Sequence, residues 1–404
     1  MRKIKEFVKE YKLEIFFAIC LFSNLYPDLP HFLYFALIAL FLFYSRKCGA
    51  QLSVSRKGCT IGLIGVIVFS SLMSGQFDFR FILMCVLLFL TLGMSSYQYY
   101  RLKVRFLYIC IIGFALTSIL NYYASVRGIN YQLIMGVHAG EKFTLDFSGF
   151  TYHPMWLSAA AGIGTIFFVH LMVKCWNDVK RKKWLFLILP LAFMSFLVSV
   201  KAGSRSAAGI SVLSSCLLIY VGSKRVSNTV VILMLLAVVT SFLMPVIMEN
   251  TVRMQTKHGG LNLRDDRGTT SRTRLWNDRV EEFESSPIWG VGFGVAGIGD
   301  DAKVGRVETG SGWLTVLSQT GIIGFILVLL SVKKAFLPLS VLREDDKLTL
   351  FSIVLFYFCI HSLFEAYMFQ AGWYLCLIFW MLVSVLDDSK EYGFPNDVIN
   401  EEDY

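Results

Sequence analysis

The sequence predicts an all-α protein that crosses a membrane many times. Of its 404 residues, 55% are hydrophobic and only 17% are charged, and the apolar residues form repeated runs that can cross a bilayer as helices. Clusters of lysine and arginine separate alternate runs, as expected of proteins that keep their basic connections in the cytoplasm. Because barrel strands would alternate polar and apolar residues, unbroken apolar runs indicate helices.

The apolar runs predict about twelve transmembrane helices, which form a single integral membrane domain over residues 1–404. The predicted spans are 13–27, 31–45, 59–74, 80–96, 104–123, 153–173, 184–201, 205–221, 228–249, 311–332, 348–365 and 369–386. No small-residue cleavage site follows the first span, so we expect a retained signal anchor. The sequence has no Walker-type phosphate loop, which argues against an ATP-driven pump.

The basic clusters predict the orientation of the chain. They lie in Arg2–Lys12, Arg46–Lys57, Arg101–Arg105, Lys174–Lys183, Lys224–Arg225 and Lys333–Lys347. If the spans alternate, all these clusters are cytoplasmic, as are both termini, and the connections 124–152 and 250–310 are external. The acidic end, 387–404, is then a short cytoplasmic tail that we expect to be solvated. The excess of lysine and arginine in the cytoplasmic connections accounts for most of the net charge of +9, so no nucleic-acid partner is implied.

The cysteines give no sign of a disulfide framework or a metal site. All nine lie in predicted spans or cytoplasmic connections, and their spacing is not that of zinc ligands. We therefore expect neither a metal nor another cofactor.

The external loop 250–310, between the ninth and tenth spans, is the most polar long segment and the first place to look for function. Ser271 or Thr270 can cap a helix that begins at Arg272, and Pro287 ends it. We expect an amphipathic helix lying along the membrane surface. Its apolar face contains Trp276, Val280 and Phe283. The remaining surface is acidic and contains Glu281, Glu282 and Glu284. The glycines behind this helix would let the backbone approach a ligand closely; they are Gly290, Gly292 and Gly294.

Arginines are the main candidates for binding an anion. Arg205, in KAGSRSAAG, lies at the predicted outer end of two spans, where its forked donors suit a phosphate or diphosphate. Pairing with lipid headgroups is the alternative, and Lys201 could share either role. Helix geometry would point Arg272 toward the membrane side of the loop helix. The loop contains further substrate-binding candidates, namely Arg274, Arg279 and Arg306. The alternative for these three is that they are solvated or paired with aspartates.

Two residues are candidate proton acceptors. Glu308 precedes the tenth span, where a carboxylate in a partly dry cleft could act as a general base; stabilisation of the helix N-terminus is the alternative. His153 heads a span, with Pro154 in its first turn, and could bind sugar hydroxyls or phosphate or simply lie at the membrane interface. Further substrate-binding candidates are Glu365, Trp276 and Trp313. The alternative for Glu365 is pairing with an arginine. An interfacial aromatic belt explains the two tryptophans equally well.

Four segments carry the sequence patterns of a known family. They read FSGFTYHPMWLSAAAG, GSRSAAG, SRTRLWNDRVEEFESSPIWGVGFG and LTVLSQTGIIGFILVLL. The third has an arginine four residues before a tryptophan, an amphipathic helix, a proline and a Gly-x-Gly-x-Gly pattern, and the fourth forms the span that follows. Together they resemble the O-antigen polymerase and ligase superfamily of bacterial membrane glycosyltransferases. The resemblance covers residues 149–324, and the first five spans agree only in hydropathy.

The resemblance implies that Arg205 and Arg272 hold the diphosphate of a lipid-linked glycan. The implied reaction is an inverting, metal-independent transfer on the outer face of the bacterial cytoplasmic membrane, with undecaprenyl diphosphate as leaving group. Ligases of the family typically carry His-Asn where this chain has Gly310 and Ser311. This departure favours a repeat-unit polymerase of the Wzy type, with Glu308 as the first choice of base and His153 as the second.

The sequence therefore predicts polymerisation of lipid-linked oligosaccharide repeats, as in capsule or exopolysaccharide synthesis. The expected partners are undecaprenyl-diphosphate-linked oligosaccharide, membrane lipids and, as a further candidate, a chain-length regulator. One alternative is a ligase that transfers glycan to lipid A core or another acceptor. Another is a transporter or flippase, which would fit twelve spans equally well but predicts charges at span centres and paired broken helices.

Overall fold

The computed structural model describes residues 2–52, 58–75, 78, 80–131, 147–223, 271–298, 303–304 and 310–395, and these are mostly helical. The helices are α1 (Arg2–Glu10), α2 (Lys12–Phe22), α3 (Phe32–Lys47), α4 (Gly58–Ser74), α5 (Arg80–Leu88), α6 (Tyr97–Val126), α7 (Pro154–Asn177), α8 (Leu185–Lys201), α9 (Arg205–Gly222), α10 (Ser271–Ser285), α11 (Gly312–Ala335), α12 (Leu339–Glu344), α13 (Asp346–His361) and α14 (Tyr374–Tyr392). A π-helical turn, Phe89–Gly93, extends α5, and a 3-10 turn, Val179–Trp184, precedes α8. Two antiparallel bridges join β1 (Gln51–Leu52) to β2 (Met94–Ser95) and β3 (Val295–Ala296) to β4 (Lys303–Val304).

The helices agree with the predicted polytopic membrane protein. Every predicted span within the described residues overlaps an apolar helix; the ninth, 228–249, lies outside them. Five helices are long and apolar enough to cross a membrane, namely α6, α7, α8 with its 3-10 turn, α9 and α11. The α4 and α5 helices are shorter and also apolar. The exact number of crossings stays a prediction.

Hydropathy extends the last two spans too far. The α13 helix ends at His361 and α14 begins only at Tyr374, so residues 362–373 form a connection. In that connection the Ser362 carbonyl accepts a hydrogen bond from Gly312 N at 2.7 Å, and the Gly372 carbonyl accepts from Asn24 Nδ2 at 3.2 Å. Because these backbone groups bond to other elements, an apolar composition here does not produce helix.

The centre of the bundle is α7. It packs against α6, α8, α9 and α13, and 94% of its most apolar window is buried. Small residues permit this close packing, as in many membrane proteins. A Cβ at Gly164 would lie 2.8 Å from Ser195 Oγ and 3.1 Å from Ala115 Cα. The outer surface is apolar as well, since α8 exposes 89% of Phe186.

The connections between helices meet at two opposite ends of the bundle. One end, here called the loop end, comprises residues 23–31, 121–131, 147–156, 201–205, 310–312 and 361–373. There Tyr152 N donates to the Leu25 carbonyl at 3.0 Å, and the Trp156 and Trp373 rings lie 4.8 Å apart. The other end, here called the tail end, comprises residues 48–52, 94–103, 174–184, 222–223, 333–347 and 384–395.

A buried ion pair lies at the tail end. Lys103 Nζ contacts Asp388 Oδ2 at 2.7 Å and also donates to Ser384 Oγ at 2.7 Å and to the Thr91 carbonyl at 3.2 Å. Asp388 is only 3% exposed, and α14 continues to Tyr392. The prediction of a solvated tail from Asp387 onward is therefore wrong for its first residues, because the ion pair and the helix bury them.

Candidate functional site

Arg205 is the first residue of α9 and is exposed at the loop end. The preceding turn contains Gly203 with a φ of 77°. Ser204 then caps the helix, since its hydroxyl accepts a hydrogen bond from Ala207 N at 3.2 Å. Within the described residues, Arg205 forms neither an ion pair nor a side-chain hydrogen bond. The guanidinium and the positive end of the helix dipole are therefore close together, in an arrangement suited to an anion.

Lys201 adds a second cation on the other side of this turn. It is the last residue of α8, and its Nζ donates to Ser125 Oγ at the end of α6, at 3.1 Å. The side chain is half-buried. This contact ties the Arg205 turn to the neighbouring helix end.

His153 caps α7, and Pro154 occupies the first turn as predicted. The imidazole Nδ1 accepts a hydrogen bond from Met155 N at 3.2 Å. A neutral imidazole that accepts at Nδ1 carries its proton on Nε2. This geometry makes His153 better suited to donate a hydrogen bond to a substrate than to take up a proton.

The amphipathic helix of the external loop is α10, which packs along α11. Trp276 fixes its first half, since the indole Nε1 donates to the Gly310 carbonyl at 3.2 Å. Arg272 is the second residue of this helix, and Arg274 is exposed on it. On the predicted apolar face, Val280 is 41% exposed, whereas Trp276 and Phe283 are half-buried.

The buried face of α10 contains a pair of charged residues. Arg279 and Glu282 form an ion pair and are only 3% and 1% exposed. Burial raises the pKa of the Glu282 carboxyl and lowers the pKa of the Arg279 guanidinium, while the charge of each residue opposes the shift of the other. The prediction that Glu282 lies on the outer acidic surface is wrong. The i, i+3 spacing of opposite charges was the signal in the sequence.

The glycine loop, residues 287–294, packs against a break in α11. Gly321 has φ 62° and ψ −169° and interrupts that helix. The interruption frees backbone groups that bond to the loop: Val291 N donates to the Ser318 carbonyl at 2.9 Å, and Ile322 N donates to the Pro287 carbonyl at 2.9 Å. A Cβ at Gly321 would collide with the Ile288 carbonyl.

The other loop glycines make close protein contacts as well. A Cβ on Gly290 would collide with the backbone of Gln319 and Thr320, and one on Gly292 would lie 2.7 Å from Ser74 Oγ. The close approach predicted for this segment is therefore an approach to other helices of the protein. The hairpin β3–β4 follows directly and begins at Val295.

The start of α11 joins α10 to the 362–373 connection. Ser311 caps α11, and Trp313 Nε1 donates to the Cys359 carbonyl at 2.9 Å. A Cβ at Gly312 would lie 3.2 Å from the carbonyl oxygen of Glu365, which is half-buried. Two predicted site residues, Glu308 and Arg306, lie outside the described residues.

These contacts define two groups of candidate residues, both at the loop end. In one group, Arg205 and Lys201 lie at the turn between α8 and α9, and His153 lies at the start of α7, which packs against both helices. The other surrounds α10 and the start of α11 and contains Arg274, Arg279, Trp276, Trp313 and Glu365. The Trp156–Trp373 contact connects the helix that His153 caps with the connection that contains Glu365.

Comparison with known proteins supports a glycan-transfer family. No curated protein matches the chain significantly. A family model described as O-antigen ligase matches residues 190–329, a region that runs from within α8 to within α11 and includes Arg205, α10 and the glycine loop. Residues 190–329 therefore resemble the domain shared by O-antigen ligases and Wzy-type polymerases.

Proposed function

We propose that the protein polymerises lipid-linked oligosaccharide repeats on the outer face of the bacterial cytoplasmic membrane. The donor glycan is carried by undecaprenyl diphosphate, and the acceptor is a hydroxyl at the non-reducing end of a second lipid-linked repeat. The observation that carries this proposal is the O-antigen ligase match over residues 190–329, because members of that family transfer lipid-linked glycans.

The leaving group requires positive charge at a fixed place. When the bond between the anomeric carbon and the diphosphate oxygen breaks, the electron pair stays on the diphosphate. Arg205 supports the proposal because it is exposed at a helix N-terminus, where cation and dipole act together. Arg272, in the first turn of α10, is the second arginine that we assign to the diphosphate. Fixed donors of this kind commonly contribute about 3–4 kcal/mol to a transition state.

The attacking hydroxyl oxygen bonds to the anomeric carbon on the face opposite the diphosphate, so the configuration inverts. Its proton passes to a base, which we assign to Glu308. His153, with Nδ1 engaged by Met155 N, is better suited to donate Nε2–H to a sugar hydroxyl or a phosphate oxygen. The half-buried Trp276 and Trp313 and the exposed Arg274 are the proposed contacts to the glycan.

The geometry at Gly310 favours a polymerase over a ligase. Family ligases have histidine at the aligned position, but Gly310 here has a φ of 69°. A Cβ on it would also lie 3.2 Å from the Leu275 side chain. A histidine here would press its Cβ against Leu275 in the first half of α10, and this supports our choice of a polymerase.

The test is an assay of the purified full-length protein in lipid nanodiscs. The substrate is the lipid-linked oligosaccharide extracted from host cells in which this gene is deleted. A ladder of products together with free undecaprenyl diphosphate supports the proposal. Single transfer to an added lipid A core acceptor would instead indicate a ligase. Absence of any transfer, with protein-dependent movement of the lipid across vesicles, would indicate a flippase.

A further inference from the structure

The α10 helix is held to the rest of the protein by unusual contacts for a helix at a membrane surface. Its inner face buries the charged pair Arg279 and Glu282 almost completely, whereas Glu281 and Glu284 are exposed. An apolar stripe is the usual solution for such a face. Buried charge at this position therefore needs a reason.

Glu282 connects α10, which packs along α11, to the chain beyond β3. Its carboxylate is paired with Arg279 on α10 and accepts a hydrogen bond from Gly297 N at 2.5 Å. A second attachment, from Trp276 to Gly310, lies near the other end of the helix. Two attachments at different turns fix both the position of α10 and its rotation about its own axis.

Stability alone does not explain the pair. Burial of two charges costs several kcal/mol for each ion, and an apolar pair of similar size is often equally stable. Within the described residues, Arg279 Nε, Arg279 Nη1 and Glu282 Oε2 are buried with no hydrogen-bond partner, which adds to the cost. Unlike apolar contacts, the ion pair and its hydrogen bond are directional, so they hold α10 in one orientation.

We propose that Arg279 and Glu282 are positioning residues that set the rotation of α10 and so the placement of the arginines in its first turn. Arg272 stands seven residues before Arg279, about two helical turns, so a rotation at the pair moves Arg272 as well. A displacement of about 1 Å can cost roughly a hundredfold in rate. This inference rests on the proposed function, since it gives Arg272 the diphosphate as its target.

The docking itself is tested by hydrogen exchange on the full-length protein in nanodiscs. In Glu282→Gln, the amides of residues 271–285 should exchange at least about tenfold faster, because α10 opens more often. Two controls should leave this peptide unchanged: Glu284→Gln, which alters an exposed carboxylate of the same helix, and Asp388→Asn, which breaks the buried pair at the tail end. Unchanged exchange in Glu282→Gln overturns the docking role without reference to catalysis.

The positioning role is tested by a double-mutant cycle with Arg272→Lys, in the assay with extracted lipid-linked oligosaccharide. Glu282→Gln should lower kcat at least about tenfold in the wild-type background. In the Arg272→Lys background it should lower kcat less than about twofold, because the guanidinium that the pair positions has already been removed. Asp388→Asn should lower activity by the same factor in both backgrounds, as expected of a loss of folded protein.

The outcomes separate the two claims. Equal factors for Glu282→Gln in both backgrounds would show that the pair does not act through Arg272, while the proposed function stands. An Arg272→Lys variant with wild-type kcat would overturn the assignment of Arg272 to the diphosphate, and the positioning role with it. The exchange experiment would still decide whether the pair docks α10.

Discussion

Arg205 depends on the turn before it for its placement. Gly203 adopts a positive φ, which allows α8 and α9 to follow one another with little intervening chain. Ser204 then caps the helix by accepting from Ala207 N. Because Arg205 is exposed and has no side-chain partner among the described residues, its guanidinium is available to an external anion.

Arg205→Ala should abolish long glycan products while the protein inserts and folds normally. The expected loss in kcat is at least about a hundredfold, because a fixed donor to the leaving group is removed. Arg205→Lys should recover only part of it, since an ammonium cannot bind the diphosphate with two parallel hydrogen bonds. The measurement is product length and rate with the extracted substrate, and Arg181→Ala at the tail end is the matched control. Wild-type chain lengths in Arg205→Ala would exclude the arginine from the reaction.

His153 has two roles that one substitution can separate. His153→Asn retains a good N-cap for α7, so the melting temperature should stay at the wild-type value. If the imidazole donates to the substrate, kcat/KM should fall about tenfold, equivalent to one hydrogen bond. His153→Ala should in addition lower stability by about 1 kcal/mol. Wild-type kcat/KM in the asparagine variant would limit this residue to capping.

At the scale of elements, the glycine loop and the break in α11 form one unit. The loop can approach only because α11 is interrupted at Gly321, and the break is satisfied only because the loop bonds to its free backbone groups. The Gly-x-Gly-x-Gly pattern and the Gly-Ile-Ile-Gly pattern are therefore two sides of one contact. Their separation in the sequence hides this relation.

Gly321→Ala should disrupt this unit. The added methyl would collide with the Ile288 carbonyl, and alanine at a φ of 62° is strained by about 1–3 kcal/mol. We expect a lower melting temperature and faster hydrogen exchange in residues 287–294. Gly65→Ala in α4, whose Cβ would meet no atom within 4 Å, is the control and should be neutral or slightly stabilising. Equal behaviour of the two variants would contradict the contact.

Local patterns predicted the ends of several elements correctly. The first turn at His153 and Pro154 and the end of α10 before Pro287 follow from rules that involve neighbouring residues; the predicted start of α10, Arg272, lies one residue after the observed start, Ser271. The burial of Glu282 and the partner of Gly290 do not follow from such rules, because they depend on contacts with α11, which is distant in the sequence. For the same reason the connection 362–373 has the composition of a span but bonds as a loop.

The bundle as a whole separates its connections into two sets. The basic clusters within the described residues, including those at Lys174–Lys183 and Lys333–Lys347, meet at the tail end. The candidate site residues that the structure describes meet at the loop end. This separation is what an alternating chain with basic cytoplasmic connections requires, and it supports the proposal that the loop end is external.

Accessibility to a membrane-impermeant maleimide tests this orientation. In intact cells, Glu284→Cys on α10 should react at once, whereas Lys183→Cys at the tail end should react only after the membrane is permeabilised. Both cysteines replace exposed residues, so a difference in their reaction with the maleimide reports the side of the membrane and not burial. The unsubstituted protein is the control for its nine native thiols, which are free. Reaction of Lys183→Cys before permeabilisation, with protection of Glu284→Cys, would place the arginines in the cytoplasm. A lipid-linked repeat on the outer face would then be out of reach of the proposed site.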